Sequence, residues 1–188
     1  MEHTTTLVHG DVVLRPLRPH DDAGPLRALV DAGSWSGMSS PLPADDAAMA
    51  AHLGSLAAQP DLLAFAVERE GVLVGRTAFY ELTPGLRTDV GHTIYVRSVW
   101  GTHVNPTAKL LLLGHAFEEL RVGRVGLRCD ARNARSHAAI RRLGATFEGT
   151  LRRFRPAADG TVADVDYFSV LAEEWPRARA GLEARLAG

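Results

Sequence analysis

Cysteine and lysine are almost missing from this chain, which holds one of each among its 188 residues. The single cysteine, Cys129, excludes an internal disulfide bond and is typical of a protein from a reducing compartment. Because lysine and arginine together number 21, the twenty basic residues other than Lys109 are all arginine. We interpret this arginine excess as a compositional bias of the source, and it does not by itself indicate a function.

Long apolar runs and excess charge are missing as well. No apolar segment approaches the roughly 20 residues of a membrane span, and the first six residues lack the basic and apolar parts of a signal peptide. A net charge of −1 gives no electrostatic reason to expect binding to nucleic acid or to a membrane. The eight histidines show no metal-ligand spacing, so no metal site is predicted. The sequence therefore predicts a cytoplasmic, soluble protein.

The length suits one domain with a substantial core, and residues 1–188 are predicted to form a single domain. Hydrophobic periodicity and turn residues divide the chain into alternating elements. The predicted strands are Val12–Leu17, Leu62–Arg69, Val72–Tyr80, Asp89–Val96, Arg124–Cys129, Phe147–Phe154 and Val162–Leu171. The predicted helices are His20–Ala32 (with Gly33 as its stop), Ala44–Ala58, Pro106–Leu120, Ala134–Leu143 and Glu173–Leu186. An antiparallel meander followed by crossover helices predicts an α/β fold with a mixed sheet.

The most informative segment joins the strand Asp89–Val96 to the next helix. The connecting loop reads Trp-Gly-Thr-His-Val-Asn from Trp100; Asn105 is a good N-cap, and Pro106 suits the first helical position. First-turn amides of a helix have no intrahelical partners and lie at the positive end of its dipole. The segment therefore predicts an anion site, most often for phosphate, to which Lys109 adds a cation. The alternatives are a capped junction that binds nothing and a lysine whose stem only covers the helix surface.

Motifs in the second half of the chain resemble those of the GCN5-related N-acetyltransferase (GNAT) family. The loop from Trp100 to Asn105 falls where that family places its pyrophosphate-binding loop. The run Asn-Ala-Arg-Ser from Asn133, Arg-Arg-Leu-Gly-Ala at 141–145 and Glu-Gly at 148–149 are similar to the pattern of the RimJ/RimL-like branch. His103 replaces a glycine of the usual loop, which implies that its side chain points away from the phosphates.

The resemblance implies a mixed, mostly antiparallel central sheet flanked by helices (an α/β or α+β fold). It also implies an N-acetyltransferase that uses acetyl-CoA as cosubstrate and transfers the acetyl group directly to a primary amine in a ternary complex. The acceptor would be a protein N-terminus or a small-molecule amine. Relatives are often dimers, so a homodimer is a possible state.

The resemblance further implies which residues hold coenzyme A. The loop amides would bind the pyrophosphate, Asn133 and Ser136 would contact the pantetheine, and a strand amide near Ile94 to Val96 would polarise the thioester. The expected cofactor-binding residues are Val96, Trp100, Gly101, Thr102, His103, Val104, Asn105, Lys109, Asn133 and Ser136.

Three residues are catalytic candidates. Asp89 and His92 are candidate bases, Asp89 by its alignment with the family's strand-start glutamate and His92 by its ordinary pKa. Being three apart, they would point to opposite faces of a straight strand, unless a bulge intervenes. Ser136 is the candidate acid by resemblance, and the alternatives are a pantetheine contact or a helix cap. Tyr95 and Tyr167 are reserve acids.

The acceptor is expected between the loop Ser34–Pro43, with Trp35 and Met38, and the hairpin around Asp159. The basic residues near Arg155 are interpreted as a solvated strand end or as a site for an acidic acceptor. Two functional alternatives stay open: a non-catalytic acyl-CoA-binding or sensor module, and a transferase that uses another acyl donor such as succinyl-CoA.

Overall fold

The computed structural model describes residues 3–187, and over this range eight strands form one sheet. The strands are β1 (Leu7–His9), β2 (Val12–Pro16), β3 (Leu63–Arg69), β4 (Val72–Thr83), β5 (Arg87–Tyr95), β6 (Arg124–Asp130), β7 (Thr146–Pro156) and β8 (Val162–Leu171). Their spatial order is β1-β2-β3-β4-β5-β6-β8-β7. Among these strands only the β5–β6 pair is parallel. The predicted mixed, mostly antiparallel sheet is confirmed.

Six α-helices of the described range cover both faces of the sheet. They are α1 (Pro19–Leu29), α2 (Ala32–Trp35), α3 (Asp46–Ala57), α4 (Val104–Gly114), α5 (Ala134–Arg142) and α6 (Trp175–Ala187). On one face, α1 and α3 bury Leu26 and Met49 against small side chains such as Ala66. On the other face, α4 and α6 bury Leu112 and Leu182. The sheet therefore separates two hydrophobic cores, as expected for a layered domain.

The helix and strand boundaries differ from the predictions at the start of the chain. β1 was not predicted, because three residues are too few to show a period of two, and it is held by pairing with β2. α2 was not predicted: it spans the end of the predicted helix, its expected stop and the first two residues of the predicted loop. Asp31 caps it by accepting the Ser34 amide at 2.7 Å. α1 ends at Leu29, so the prediction that Gly33 stops it is wrong; Gly33 belongs to α2.

Each helix within residues 3–187 is too short or too polar to span a bilayer. The same part of the chain contains no cluster of three or more histidine, cysteine, aspartate or glutamate side chains that could hold a metal ion.

Candidate active site

The strands β5 and β6 pair only over their first halves. Their register runs from Arg87↔Arg124 to Val90↔Leu127, and beyond this point they separate. The β4–β5 register shifts in the same region, where His92 has φ of 49°. Such a bulge bends a strand and breaks its ladder locally. The separation opens a cleft of about 560 Å³, walled by β5, β6, α4, α5 and the segment around α2.

The loop that leads into α4 carries unpaired backbone amides at the cleft. The Thr102 amide donates to the Val99 carbonyl at 3.4 Å, and the Val104 amide donates to the Thr102 hydroxyl at 3.3 Å. The amides of Gly101, His103 and Asn105 have no acceptor within residues 3–187. Free amides at the start of a helix form a site for an anion.

α4 begins two residues earlier than predicted. Its first residue is Val104, and His103 occupies the N-cap position, so the assignment of Asn105 as N-cap is wrong. The Thr102 hydroxyl satisfies the Val104 amide, which lets the first turn start before the Asn-Pro signal. The His103 ring lies 2.8 Å from the Asp11 carboxylate and Val104 is buried in the core, so neither side chain lines the cleft.

Lys109 projects from α4 into the cleft wall. Its Nζ lies 3.5 Å from the Thr93 hydroxyl on β5, and no carboxylate within residues 3–187 lies within 4 Å of it. Burial without a negative partner lowers the pKa of Lys109 to about 8. The lysine thus links the helix to the strand beside the cleft.

The bulge in β5 brings Asp89 and His92 to the same side of the sheet. Asp89 is directly opposite Tyr80 on β4, and the His92 ring packs edge-on against the Tyr80 ring at 5.1 Å. Of the two alternatives, a straight strand or a bulge, the structure has the bulge: the register shift between Gly91 and Ile94 resets the alternation of the side chains.

Only His92 of this pair lines the cleft. Asp89 is 5% exposed and packs against Gly126 on β6, outside the cleft wall. Burial raises the pKa of Asp89, and the charge of Arg128 opposes this. Burial, together with the positive charge of Arg76, lowers the pKa of His92 to about 3, so its ring is neutral at physiological pH.

Asn133 and Ser136 meet at the start of α5. Asn133 is the N-cap, and its Oδ1 accepts the Ser136 amide at 3.0 Å, so the capping role considered for Ser136 belongs to Asn133. The Asn133 amide nitrogen faces Gly37 across the cleft. The Ser136 side chain lines the cleft, and so does the buried Cys129. Burial raises the pKa of Cys129 to about 11, so it stays a thiol.

Two neighbouring backbone amides at the end of β5 point to opposite edges of the strand. The Val96 amide donates to the Val74 carbonyl at 2.9 Å and is therefore not free for a ligand. Tyr95 presents its carbonyl to the Trp100 indole at 2.8 Å, on the edge of the strand away from β4. Because the N–H and C=O of one strand residue point to the same edge, the Tyr95 amide faces the gap beside β6. The Tyr95 hydroxyl is buried without a partner.

A family model described as an acetyltransferase (GNAT) domain matches residues 11–146 of the chain. The chain belongs to the GNAT family. A search of the curated proteins finds no match to it. The family predicted from the loop and Asn133 motifs is thus confirmed.

Solved structures resemble this GNAT protein over nearly its whole length. A candidate acetyltransferase from T. thermophilus is 36% identical, with 96% of each chain covered and a TM-score of 0.90. A GCN5-related N-acetyltransferase from Brucella melitensis is 25% identical over 97% of this chain and 85% of its own, with a TM-score of 0.88. Mycobacterium smegmatis RimJ, in complex with CoA-disulfide, is 24% identical over 97% of this chain and 95% of its own, with a TM-score of 0.81. The likeness to RimJ shows a shared fold.

Sequence reasoning missed the arginines of the cleft. The Arg135 guanidinium carbon lies 3.3 Å from the centroid of the Trp100 ring, and both residues line the cleft. Arg142 and Arg185 also line the cleft. The arginine excess, which we interpreted as bias alone, therefore includes residues that line the cleft. Their only sequence signal was the nearness of Arg135 to Asn133 and Ser136 in the motif.

Arg155 does not belong to a solvated strand end as predicted. Its Nη2 donates to the Gly37 carbonyl at 3.0 Å, and the half-buried side chain lines the cleft. Of the two apolar residues expected at the acceptor site, Met38 lines the cleft, whereas Trp35 is 1% exposed and packs in the core. The hydrogen bond from Arg155 to Gly37 therefore connects β7 to the segment that follows α2.

Proposed function

We propose that this GNAT protein is an acetyl-CoA-dependent N-acetyltransferase that acetylates a primary amine directly in a ternary complex. The gap between β5 and β6, with unpaired loop amides beside it, carries the proposal. A pantetheine chain in the gap would extend the sheet by hydrogen bonding to strand amides. Mycobacterium smegmatis RimJ, which has the same fold, is known in complex with CoA-disulfide, and this supports coenzyme A as a ligand of the present chain.

The pyrophosphate is assigned to the amides of Gly101, His103 and Asn105, with Arg135 as the nearby cation. Backbone amides at a helix start bind anions without a charged side chain, and a guanidinium strengthens such binding. Lys109 is assigned to the interior of the cleft, because its amino group contacts Thr93 on β5. Its predicted role as a pyrophosphate ligand is therefore secondary to the amides.

In the reaction, the amine nitrogen attacks the thioester carbonyl carbon, a C–N bond forms, and the C–S bond breaks. The nitrogen loses one proton, and the leaving thiolate gains one. The Tyr95 amide, which faces the gap, is the proposed donor to the carbonyl oxygen as its charge develops. Ser136, at the start of α5, is the proposed hydrogen-bond donor to the departing sulfur.

His92 is proposed to accept a hydrogen bond from the amine and to orient it. A ring with a pKa near 3 is a weak base, so we assign it orientation and not storage of the proton. Because Asp89 lies outside the cleft, we propose that it does not contact the substrates and only positions the residues beside it.

The test combines turnover with binding. The protein is incubated with acetyl-CoA and a panel of small amines and peptides with free N-termini, and released CoA is measured with a thiol reagent. We expect release that depends on one class of amine and falls at least tenfold in Ser136→Ala. No CoA release with any amine, together with no CoA binding by calorimetry, would eliminate the proposal.

One observation favours a second candidate function, a non-catalytic acyl-CoA-binding module. Neither base candidate combines access to the cleft with a pKa near neutrality. Tight CoA binding without turnover on the whole panel, unchanged by Ser136→Ala, would support the module over the enzyme.

A further inference from the structure

A second cavity of about 170 Å³ opens beside the cleft, on the side of α3. It shares Met38, Ser39 and His92 with the cleft wall. Its remaining lining includes His52 of α3 and Arg76 of β4. The cavity is therefore an extension of the cleft, large enough for a short side chain of a substrate.

Arg76 is the unusual residue of this cavity, because it is a buried cation with no anion. It is 1% exposed. Its Nη1 donates to the His92 carbonyl at 2.7 Å, and its Nη2 lies 3.1 Å from the His52 ring nitrogen. Its Nε has no partner, and no carboxylate within residues 3–187 lies within 4 Å of it. The Trp35 ring, 5.5 Å away, supplies only partial compensation.

Arg15 shows how the same chain treats a less buried arginine. Its side chain is 18% exposed, and it bonds both Asp22 and Glu68 at 2.7 Å. A buried charge is costly unless an opposite charge or metal compensates it. The contrast indicates that the missing partner of Arg76 comes from outside the chain.

The chemistry of the cavity selects the kind of anion. The guanidinium fork matches a planar carboxylate. Its Nε–H is unused, and its Nη2 has only the neutral partners His52, at 3.1 Å, and the Met38 sulfur, at 3.8 Å. Burial and the charge of Arg76 lower the pKa of His52 to about 4, so its ring is neutral and does not repel Arg76.

We infer that Arg76, with His52 beside it, forms a subsite for a carboxylate carried by a substrate of this transferase. The inference rests on the proposed function, since the cavity opens from the proposed acyl-transfer cleft. Two sources would present the same group: an acidic acceptor, or the distal carboxylate of a dicarboxylic acyl-CoA.

Calorimetry on the unmodified protein separates these sources without requiring turnover. The acceptor pair is Glu-Ala-Ala-amide against Gln-Ala-Ala-amide, each titrated into the CoA-saturated protein. The donor pair is succinyl-CoA against butyryl-CoA. We expect the carboxylate member of one pair to bind about tenfold to a hundredfold tighter than its neutral counterpart. Equal affinity, or no binding, within both pairs overturns the subsite.

Variants of His52 test the role of Arg76 without removing its bond to the His92 carbonyl. His52→Glu places a carboxylate next to the guanidinium, whereas His52→Gln is the matched neutral control. We expect His52→Glu to raise the melting temperature above that of His52→Gln by about 3 to 5 °C and to abolish the preference for the carboxylate ligand. If His52→Glu melts no higher and keeps the preference, Arg76 lacks the proposed role.

Failure of the subsite and failure of the transferase give different results. If CoA is released from acetyl-CoA with amines but neither ligand pair shows a preference, the transferase is supported and the carboxylate subsite is overturned. If no amine is acetylated but one pair shows the preference, the subsite is supported, and the protein is a binding module and not a transferase.

Discussion

The amino group of Lys109 on α4 lies 3.5 Å from the hydroxyl oxygen of Thr93 on β5. This contact joins the helix whose start carries the unpaired amides to the strand that bends at the cleft. The Thr93 hydroxyl oxygen in turn lies 2.8 Å from that of Thr77 on β4. The lysine amino group therefore contacts a chain of two neutral hydroxyl groups. A cation with only hydroxyl partners is held less favourably in the fold than in water.

The first prediction concerns the pH dependence that this lysine gives to stability. Because its folded pKa, about 8, is below the unfolded value of 10.5, the unfolded chain binds more protons between these values. The lysine therefore destabilises the fold below pH 8, and this penalty disappears as the pH rises toward 10.5. Relative to Lys109→Met, the free energy of unfolding of the natural chain should rise by about 1 to 2 kcal/mol over that window. This is less than the free energy that corresponds to the whole pKa shift, because the side chain is only partly buried. Urea titrations at several pH values measure it, and parallel curves for the two proteins would contradict it.

The second prediction concerns Arg135, which stacks on Trp100 at the cleft. Arg135→Ala removes the cation beside the free amides and also removes the group that stacks on the Trp100 ring. CoA should therefore bind about fivefold to twentyfold more weakly. Arg177→Ala, on the exposed part of α6, removes the same charge and is the control. Calorimetry with CoA at two salt concentrations checks this prediction. Equal losses in both variants would show that only the net charge matters.

The fold was more predictable from the sequence than the site. Seven of the eight strands follow from hydrophobic patterning and turn residues, because burial of one face imposes a period on the sequence. The bulge at His92 has no comparable signal, since it depends on how β4 and β5 align. For the same reason the side on which Asp89 and His92 lie was not predictable. The cleft arginines were hidden by composition, because in a chain whose basic residues are nearly all arginine the residue type does not distinguish Arg135 from an exposed surface arginine.

The third prediction concerns the contact between Gly126 and Asp89. A Cβ at position 126 would overlap the Asp89 carboxylate, which is buried and would have to shift to make space for it. Gly126→Ala should therefore lower the free energy of unfolding by about 1 to 3 kcal/mol. Gly181→Ala on α6 is the matched control: nothing lies within 4 Å of its new methyl group, so it should stabilise the protein by about 0.5 to 1 kcal/mol.

The double variant Asp89→Ala/Gly126→Ala identifies the cause of that loss. Removing the carboxylate makes space for the methyl group, so the double variant should be more stable than the sum of the two single changes implies. Thermal and urea unfolding provide the cycle. Strict additivity would mean that Gly126 is needed for a reason other than its contact with Asp89.

The last prediction uses two tyrosines whose hydroxyl groups have opposite surroundings. The Tyr95 hydroxyl is buried without a partner, whereas the Tyr167 hydroxyl accepts a hydrogen bond from Arg128 at 2.6 Å. Removing an unsatisfied buried hydroxyl relieves a desolvation cost, and removing a paired one leaves its partner unsatisfied. Tyr95→Phe should therefore be as stable as the natural chain or up to about 1 kcal/mol more stable, and Tyr167→Phe should lose about 1 to 2 kcal/mol. If the Tyr95 hydroxyl meets the bound substrate, Tyr95→Phe will also lower the acetyl-transfer rate despite its stability. A Tyr95→Phe protein that is both less stable and fully active would show that the hydroxyl has a structural partner.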